Sequence, residues 1–208
     1  MDRVSDLHQP DMIFLPGTKS TIADLLWLRE SGLEAAVKKA SASGVPVFGI
    51  CGGYQMLGKQ ISDPEHTEAS GTDVCRGMGL LDTETVFYPE KTQTQTQGTF
   101  RGIKGILSGL NGMNYQGYEI HMGRNEDDLP VASGSGDVYG SYIHGIFDAP
   151  GISDAVIKAL CGKKSVDFGA VNSFDTISYR EQQYDQLAAA VRENLDMDFV
   201  YRILDREI

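Results

Sequence analysis

The sequence is poor in positive charge. Its 208 residues carry 18 Lys and Arg against 29 Asp and Glu, a net charge of −11. That balance excludes a nucleic-acid surface built on clustered cations. Cysteine is also scarce. Cys51, Cys75 and Cys161 are an odd number without ligand-like spacing, so neither a disulfide framework nor a metal site is expected. No apolar run approaches membrane-spanning length and the first residues do not form a signal peptide, so a cytoplasmic, reducing setting without membrane contact is expected. A phosphate-binding loop is missing too. Gly17-Thr18-Lys19-Ser20 shares its ending, but such a loop needs Gly directly before Lys and a second Gly five residues earlier. No ATP site, and no cofactor, is expected in this chain.

What is present is ordinary globular material, 41% hydrophobic and 23% charged. The length suits one domain with a real core and is marginal for two, so residues 1–208 are expected to form a single domain.

The rest of the chain is organised around Val45-Pro46-Val47-Phe48-Gly49-Ile50-Cys51-Gly52-Gly53-Tyr54-Gln55. The apolar run predicts a buried strand, the glycines a sharp turn, and a helix begins near Gly53. Gly49-x-Cys51-x-Gly53 has the form of a nucleophile elbow, a strained strand-to-helix turn that lifts one side chain above a sheet. Small residues are needed on either side because such a turn has no room for a Cβ. At a helix N-terminus the dipole is expected to favour thiolate over thiol. The bland alternative is a small buried cysteine in a glycine-rich turn.

Upstream, residues 11–15 read as a short buried strand halted by Pro16-Gly17, followed by a helix capped by Ser20 or Thr21 and a second helical stretch over 32–42. Strand, helices and strand with short connections predict a unit feeding a parallel sheet. Residues 61–79 are polar and read as a surface excursion. Residues 79–88 and 92–102 alternate as strands, with Thr92-Gln93-Thr94-Gln95-Thr96-Gln97 as an exposed antiparallel one. Residues 117–123 predict a strand with Glu119 and His121 on one face, most simply as an ion pair on a solvated surface. Residues 138–145 predict a strand ending in His144-Gly145. That places His144 at the carboxyl end, the edge where open α/β sheets bind ligands, and a cysteine nucleophile needs a nearby imidazole. After Pro150 only helices are expected. One is capped by Ser153 and closed by Gly162. A later one carries Tyr184, Leu187, Ala188, Val191 and Leu195 as a core-packing stripe, and Asp196 or Asp198 caps a last turn.

Taken together, residues 11–25, Gly49-Ile50-Cys51-Gly52-Gly53-Tyr54-Gln55, Tyr118-Glu119-Ile120-His121, residues 142–148 and the ending 184–197 resemble, in order, the glutamine amidotransferase domain of the cobyric acid synthase family. That family is a cobalamin-pathway branch of the class I amidotransferases. The resemblance implies an α/β fold, flavodoxin-like, with an open, mostly parallel sheet flanked by helices, an antiparallel strand excursion and C-terminal helices. It implies that Cys51 attacks the glutamine carboxamide and His144 moves the protons. Backbone N–H groups of Gly52 and Gly17 would line the oxyanion hole, and Gln55 would help hold the substrate. Glu119 and His121 would lie near the glutamine or the ammonia exit.

Ordinary class I triads place a Glu two residues after the His. Ile146 stands there, so the resemblance is to a Cys-His dyad, with Asp148 as a possible orienting acid. The family also has a strand and helix before Asp11 and a separate ATP-binding synthetase domain, which this sequence does not contain. ATP and Mg, the synthetase domain and the corrinoid substrate are therefore expected outside this chain, and glutamine within it. If the absent strand belongs mid-sheet, a gap or two unpaired edges should result. The implied function is ammonia supply for ATP-dependent amidation of adenosylcobyrinic acid a,c-diamide carboxylates. Alternatives are the glutaminase of cobyrinic acid a,c-diamide synthase, that of a cell-wall lipid precursor amidase, and an inactive binding module on the same fold.

Overall fold

The structure, a computed structural model, describes residues 1–68, 71, 73–125, 129–170 and 176–206. The chain falls into two compact units, Met1–Asn172 and Ser173–Ile208. The first contains strands β1 (Ile13–Leu15), β2 (Val47–Ile50), β3 (Gln60–Ser62), β4 (Val74–Arg76), β5 (Glu84–Thr99), β6 (Asn114–Arg124), β7 (Ala132–Ser133) and β8 (Val138–Ser141). Its helices are α1 (Thr21–Glu30), α2 (Leu33–Ala42), α3 (Gly52–Leu57) and α4 (Ile152–Lys164).

The class is α/β, as the sequence predicts. The strands form two four-stranded sheets, ordered β1-β2-β8-β7 and β4-β3-β5-β6. In the first, β1, β2 and β8 are parallel and β7 is an antiparallel edge. The antiparallel excursion is a sheet of its own, with β3 and β5 its one parallel pair. No gap opens in the first sheet: β2 is bonded on both sides, and β1 lies at an outer edge.

Alternation along the strands builds a core on each face of the parallel sheet. Ile13, Leu15, Val47 and Val138 point to a cluster containing Ile22, Leu25 and Val37 from α1 and α2 and Leu57 from α3. Phe48 and Tyr139 point the other way, to a cluster with Ile152 and Val156 of α4. A central parallel strand is covered on both faces, which is why β2 is apolar throughout.

Four local expectations are corrected. Residues 61–79 are not merely a surface excursion: Ile61 and Asp63 are fully buried, and Cys75 and Met78 nearly so, with Ile61 of β3, Cys75 of β4 and Met78 joining the first core cluster. The two alternating stretches are one strand, β5, whose register shifts between Phe87 and Thr92, where Pro89 cannot donate to the ladder. Its Thr-Gln run pairs antiparallel with β6 and is largely exposed, as expected. In α4, Ser153 is not the cap: its hydroxyl donates to Phe147 O, and Gly151 holds the cap position. Gly162 does not close the helix, which runs to Lys164 and ends at Ser165 in the left-handed region.

The second unit contains α5 (Thr176–Asn194) and α6 (Met197–Leu204), the latter capped by Asp196 accepting from Phe199 N at 3.0 Å. The stripe expected to pack in a core does not: Tyr184, Leu187, Val191 and Leu195 are exposed. Among the described residues no helix is long and apolar enough to cross a membrane.

Candidate active site

The turn after β2 has the shape its glycines demand. Cys51 sits at φ 51°, ψ −111°, a conformation disfavoured for any residue with a Cβ and found where the surroundings enforce it. Cys51 N donates to Ser141 O of β8 at 2.8 Å, and Gln55 N returns to Cys51 O at 3.0 Å, so sheet and helix both hold the turn. A Cβ on Gly49 would lie 2.6 Å from the Gly53 backbone, and one on Gly53 would overlap the Leu15 carbonyl of β1. The Gly-x-Cys-x-Gly spacing thus reflects strand, turn and helix stacked at backbone contact.

His144 lies three residues beyond β8, past the carboxyl end of the strand, as expected. Gly17, after β1, separates it from the cysteine. A Cβ there would be 3.0 Å from His144 Cε1 and 3.5 Å from Cys51 Cβ. Cys51 and His144 therefore flank one glycine, and both line a cavity of about 670 Å³. Sγ is directed at Ile120 O of β6, 3.7 Å away, and His144 Nε2 is buried with no hydrogen-bond partner among the described residues. Asp148, the suggested orienting acid, is exposed, and its N–H bonds Gly145 O.

His144 is held from the second sheet. Tyr118 N donates to His144 O at 3.1 Å and His144 N to Tyr118 O at 2.8 Å. The two rings stack 5.0 Å apart, their planes within 9°.

Glu119 and His121 do share a face of β6, but the solvated-surface reading is corrected, because His121 is only 9% exposed. Its ring stacks on Tyr142 at 3.9 Å, and Tyr142 in turn donates to Asn125 Oδ1 at 2.6 Å. Both imidazole nitrogens face acceptors: Nδ1 lies 2.7 Å from Gly123 O and Nε2 3.1 Å from a Glu119 oxygen. His121 lines the cysteine cavity, whereas Glu119 faces a second cavity of about 600 Å³ shared with Tyr54, Tyr115 and Tyr142.

These surroundings set the protonation states. Burial pushes the Cys51 thiol up, the Gly52 N–H partly offsets this, and Glu119 adds to the rise. The thiolate expected from the helix terminus is therefore corrected: burial outweighs the Gly52 N–H. His144 is shifted down, first by burial and then by His121. At neutral pH the two groups are thiol and neutral imidazole.

The cavity floor is Gln55, 2% exposed, whose Oε1 accepts from Thr21 Oγ1 at 3.2 Å. Gly52 packs beneath Thr18 and Thr21, where a Cβ would lie 3.2 Å from Thr21 Oγ1. The wall at α1 is closed not by Ser20 or Thr21, whose side chains make no capping bond, but by Glu68. Its two carboxylate oxygens accept from Thr21 N at 2.8 Å and Ile22 N at 2.9 Å.

The structure thus brings together Gly17, Cys51, Gly52, Gln55, His121 and His144, with Glu119 behind His121. Sequence reasoning missed Glu68, Tyr118 and Tyr142. Only Glu68 had a local signal, the Asp63-Pro64 turn that precedes it. Among the described residues no three of His, Cys, Asp and Glu gather to hold a metal ion.

A model of the CobB/CobQ-like glutamine amidotransferase domain matches residues 2–152. A cobyric acid synthase of Lachnoclostridium phytofermentans is 46% identical over 233 residues, covering 100% of this chain and 45% of its own length. One of Ruminiclostridium cellulolyticum is 43% identical, covering 98% of this chain and 43% of its own. The chain spans about half the length of the curated relatives it matches. One solved structure, described as a glutamine amidotransferase, aligns with a TM-score of 0.49 at 16% identity over 80% of this chain and 85% of its own.

Proposed function

The chain belongs to the CobB/CobQ-like glutamine amidotransferase domain family, and from that membership we propose that it is the glutaminase half of a cobyric acid synthase. In this reading Cys51 Sγ attacks the carboxamide carbon of glutamine while His144 takes the thiol proton and passes it to the leaving ammonia. Water, deprotonated by the same imidazole, then cleaves the thioester to glutamate and frees the thiol. Backbone N–H groups at Gly52 and Gly17 receive the developing oxyanion, a contribution of about 3–4 kcal/mol per donor in other enzymes. The ammonia is used by an ATP-dependent synthetase domain, with Mg, to amidate carboxylates of adenosylcobyrinic acid a,c-diamide.

The observation that carries this is the cysteine in a strained strand-to-helix turn with, across Gly17, an imidazole whose buried Nε2 has no hydrogen-bond partner among the described residues. A neutral imidazole beside a protonated thiol suits a base that acts only once substrate arrives. Two observations favour a second reading, an inactive binding module. The position where class I triads carry Glu is Ile146, 1% exposed, and Sγ faces Ile120 O.

One experiment separates them. The chain alone should release little or no ammonia from glutamine and should amidate nothing. With the synthetase domain, ATP and the corrinoid acid, ammonia release should rise. Cys51→Ala should abolish glutamine use and leave amidation from free ammonia intact. A Cys51→Ala protein that hydrolyses glutamine as well as the parent makes the cysteine structural and ends the proposal.

A further inference from the structure

The Cys51 cavity carries more charge than cleavage of a neutral amide uses. Glu68, Lys19 and Lys91 all line it, and of these Glu68 is the one built into place. Asp63, fully buried, accepts from Thr67 N at 2.8 Å, Thr67 Oγ1 at 2.8 Å and Glu68 N at 2.9 Å, fixing the 63–68 turn from behind. The Glu68 carboxylate then spans to the first turn of α1, one oxygen on Thr21 N and the other on Ile22 N. Thr21 in turn abuts the elbow through Gly52 and Gln55. Each carboxylate oxygen can accept from a second donor, so Glu68 presents a fixed anion on the wall of the cavity that Cys51 also lines.

A glutamine whose carboxamide carbon lies at Cys51 has its α-ammonium at most about 5 Å farther along, two methylenes and an α-carbon away by ordinary bond lengths. We propose that Glu68 accepts this α-ammonium, so that it selects an α-amino acid amide over an amide lacking the amino group; the assignment rests on the glutaminase reading above. The lysines supply the opposite sign on the same cavity, matching a zwitterionic head. A site that commits a half-buried, fixed carboxylate to an ammonium disfavours the analogue without it, because the anion then loses that partner.

The test needs no turnover and uses the whole chain. Two glutamine-shaped electrophiles, 6-diazo-5-oxo-L-norleucine and its desamino counterpart 6-diazo-5-oxohexanoate, differ only in the α-amino group. With either, Sγ bonds to the diazo-bearing carbon, that carbon takes up the thiol proton, and N2 leaves. Labelling of Cys51 is followed by mass spectrometry, with iodoacetamide as a probe indifferent to the head group. The parent should label about 10-fold or more faster with the amino-bearing probe. Glu68→Gln should reduce that preference to about 2-fold or less. Equal slowing of both probes by Glu68→Gln, or a parent without preference, overturns the assignment and leaves Glu68 as a strut for α1. If neither diazo probe labels the parent assembled with the synthetase domain and ATP while iodoacetamide does, the glutaminase reading falls and the Glu68 assignment with it.

Discussion

The imidazole of His144 lies flat against the ring of Tyr118, with centroids 5.0 Å apart and planes within 9°. The same two residues exchange both backbone hydrogen bonds, so a side chain 44% exposed fixes the orientation of the proposed base. Such a stack contributes about 0.5–1.5 kcal/mol. Tyr118→Ala should therefore lower glutamine hydrolysis in the reconstituted system about 10-fold while moving stability by less than about 1 kcal/mol. Tyr118→Phe should retain the activity. A Tyr118→Ala protein with parental hydrolysis would make the stacking incidental.

Gly17 governs how closely thiol and imidazole approach. A methyl group there would meet His144 Cε1 at 3.0 Å, and the imidazole is the group able to yield. Gly17→Ala is expected to fold normally and to lose about 100-fold in hydrolysis, the cost typical of an ångström-scale misplacement. Urea melts together with glutaminase assays check both halves. Unchanged activity would show that the imidazole has slack.

The backbone at Cys51 predicts an unusual order of stabilities. A conformation of this kind costs about 1–3 kcal/mol for a residue with a Cβ, whereas glycine adopts positive φ freely. Among inactive variants, Cys51→Gly should exceed Cys51→Ala in unfolding free energy by about 1 kcal/mol. In an ordinary helix or strand the order is the reverse, so denaturant titration of the pair reports the strain directly.

The downward shift of His144 sets a pH dependence with a definite sign. A group whose pKa falls on folding lends stability that is fully present above its unfolded value, here 6.5. That contribution is lost as pH falls from there through the folded value. Relative to His144→Gln, the parent should lose stability between neutral pH and the region below 6.5. Parallel pH curves for the two proteins would mean that the imidazole protonates without resistance.

Steric demands that act between chain neighbours are legible in the amino-acid sequence. The elbow is the clearest case, since the constraint on Gly49, Cys51 and Gly53 comes from backbone packed on backbone. The place of His144 follows from the strand that delivers it, and the shared face of Glu119 and His121 from the period of a strand. What covers a residue is not legible in the same way. His121 is buried by Tyr142, from the end of another strand, and α1 is closed by Glu68, 46 residues from Ile22. Neither partner leaves a mark near the residue it serves. Helix ends fail for a different reason. Ser153 and Gly162 have the propensities of a cap and a stop, but the packing of α4 carries the helix past both. The stripe on α5 satisfies the period of a buried face and is exposed, since periodicity describes a face without saying what meets it.

The pairing of Tyr118 with His144 also links what are otherwise two separate sheets. The backbone of Cys51 is tied to the first sheet at Ser141, and that of His144 to the second at Tyr118. The gap between the backbones that carry sulfur and imidazole is therefore a dimension of the framework. A tilt of one sheet against the other, too small to break a hydrogen bond, would retune that gap as a hinge retunes the jaws of a caliper.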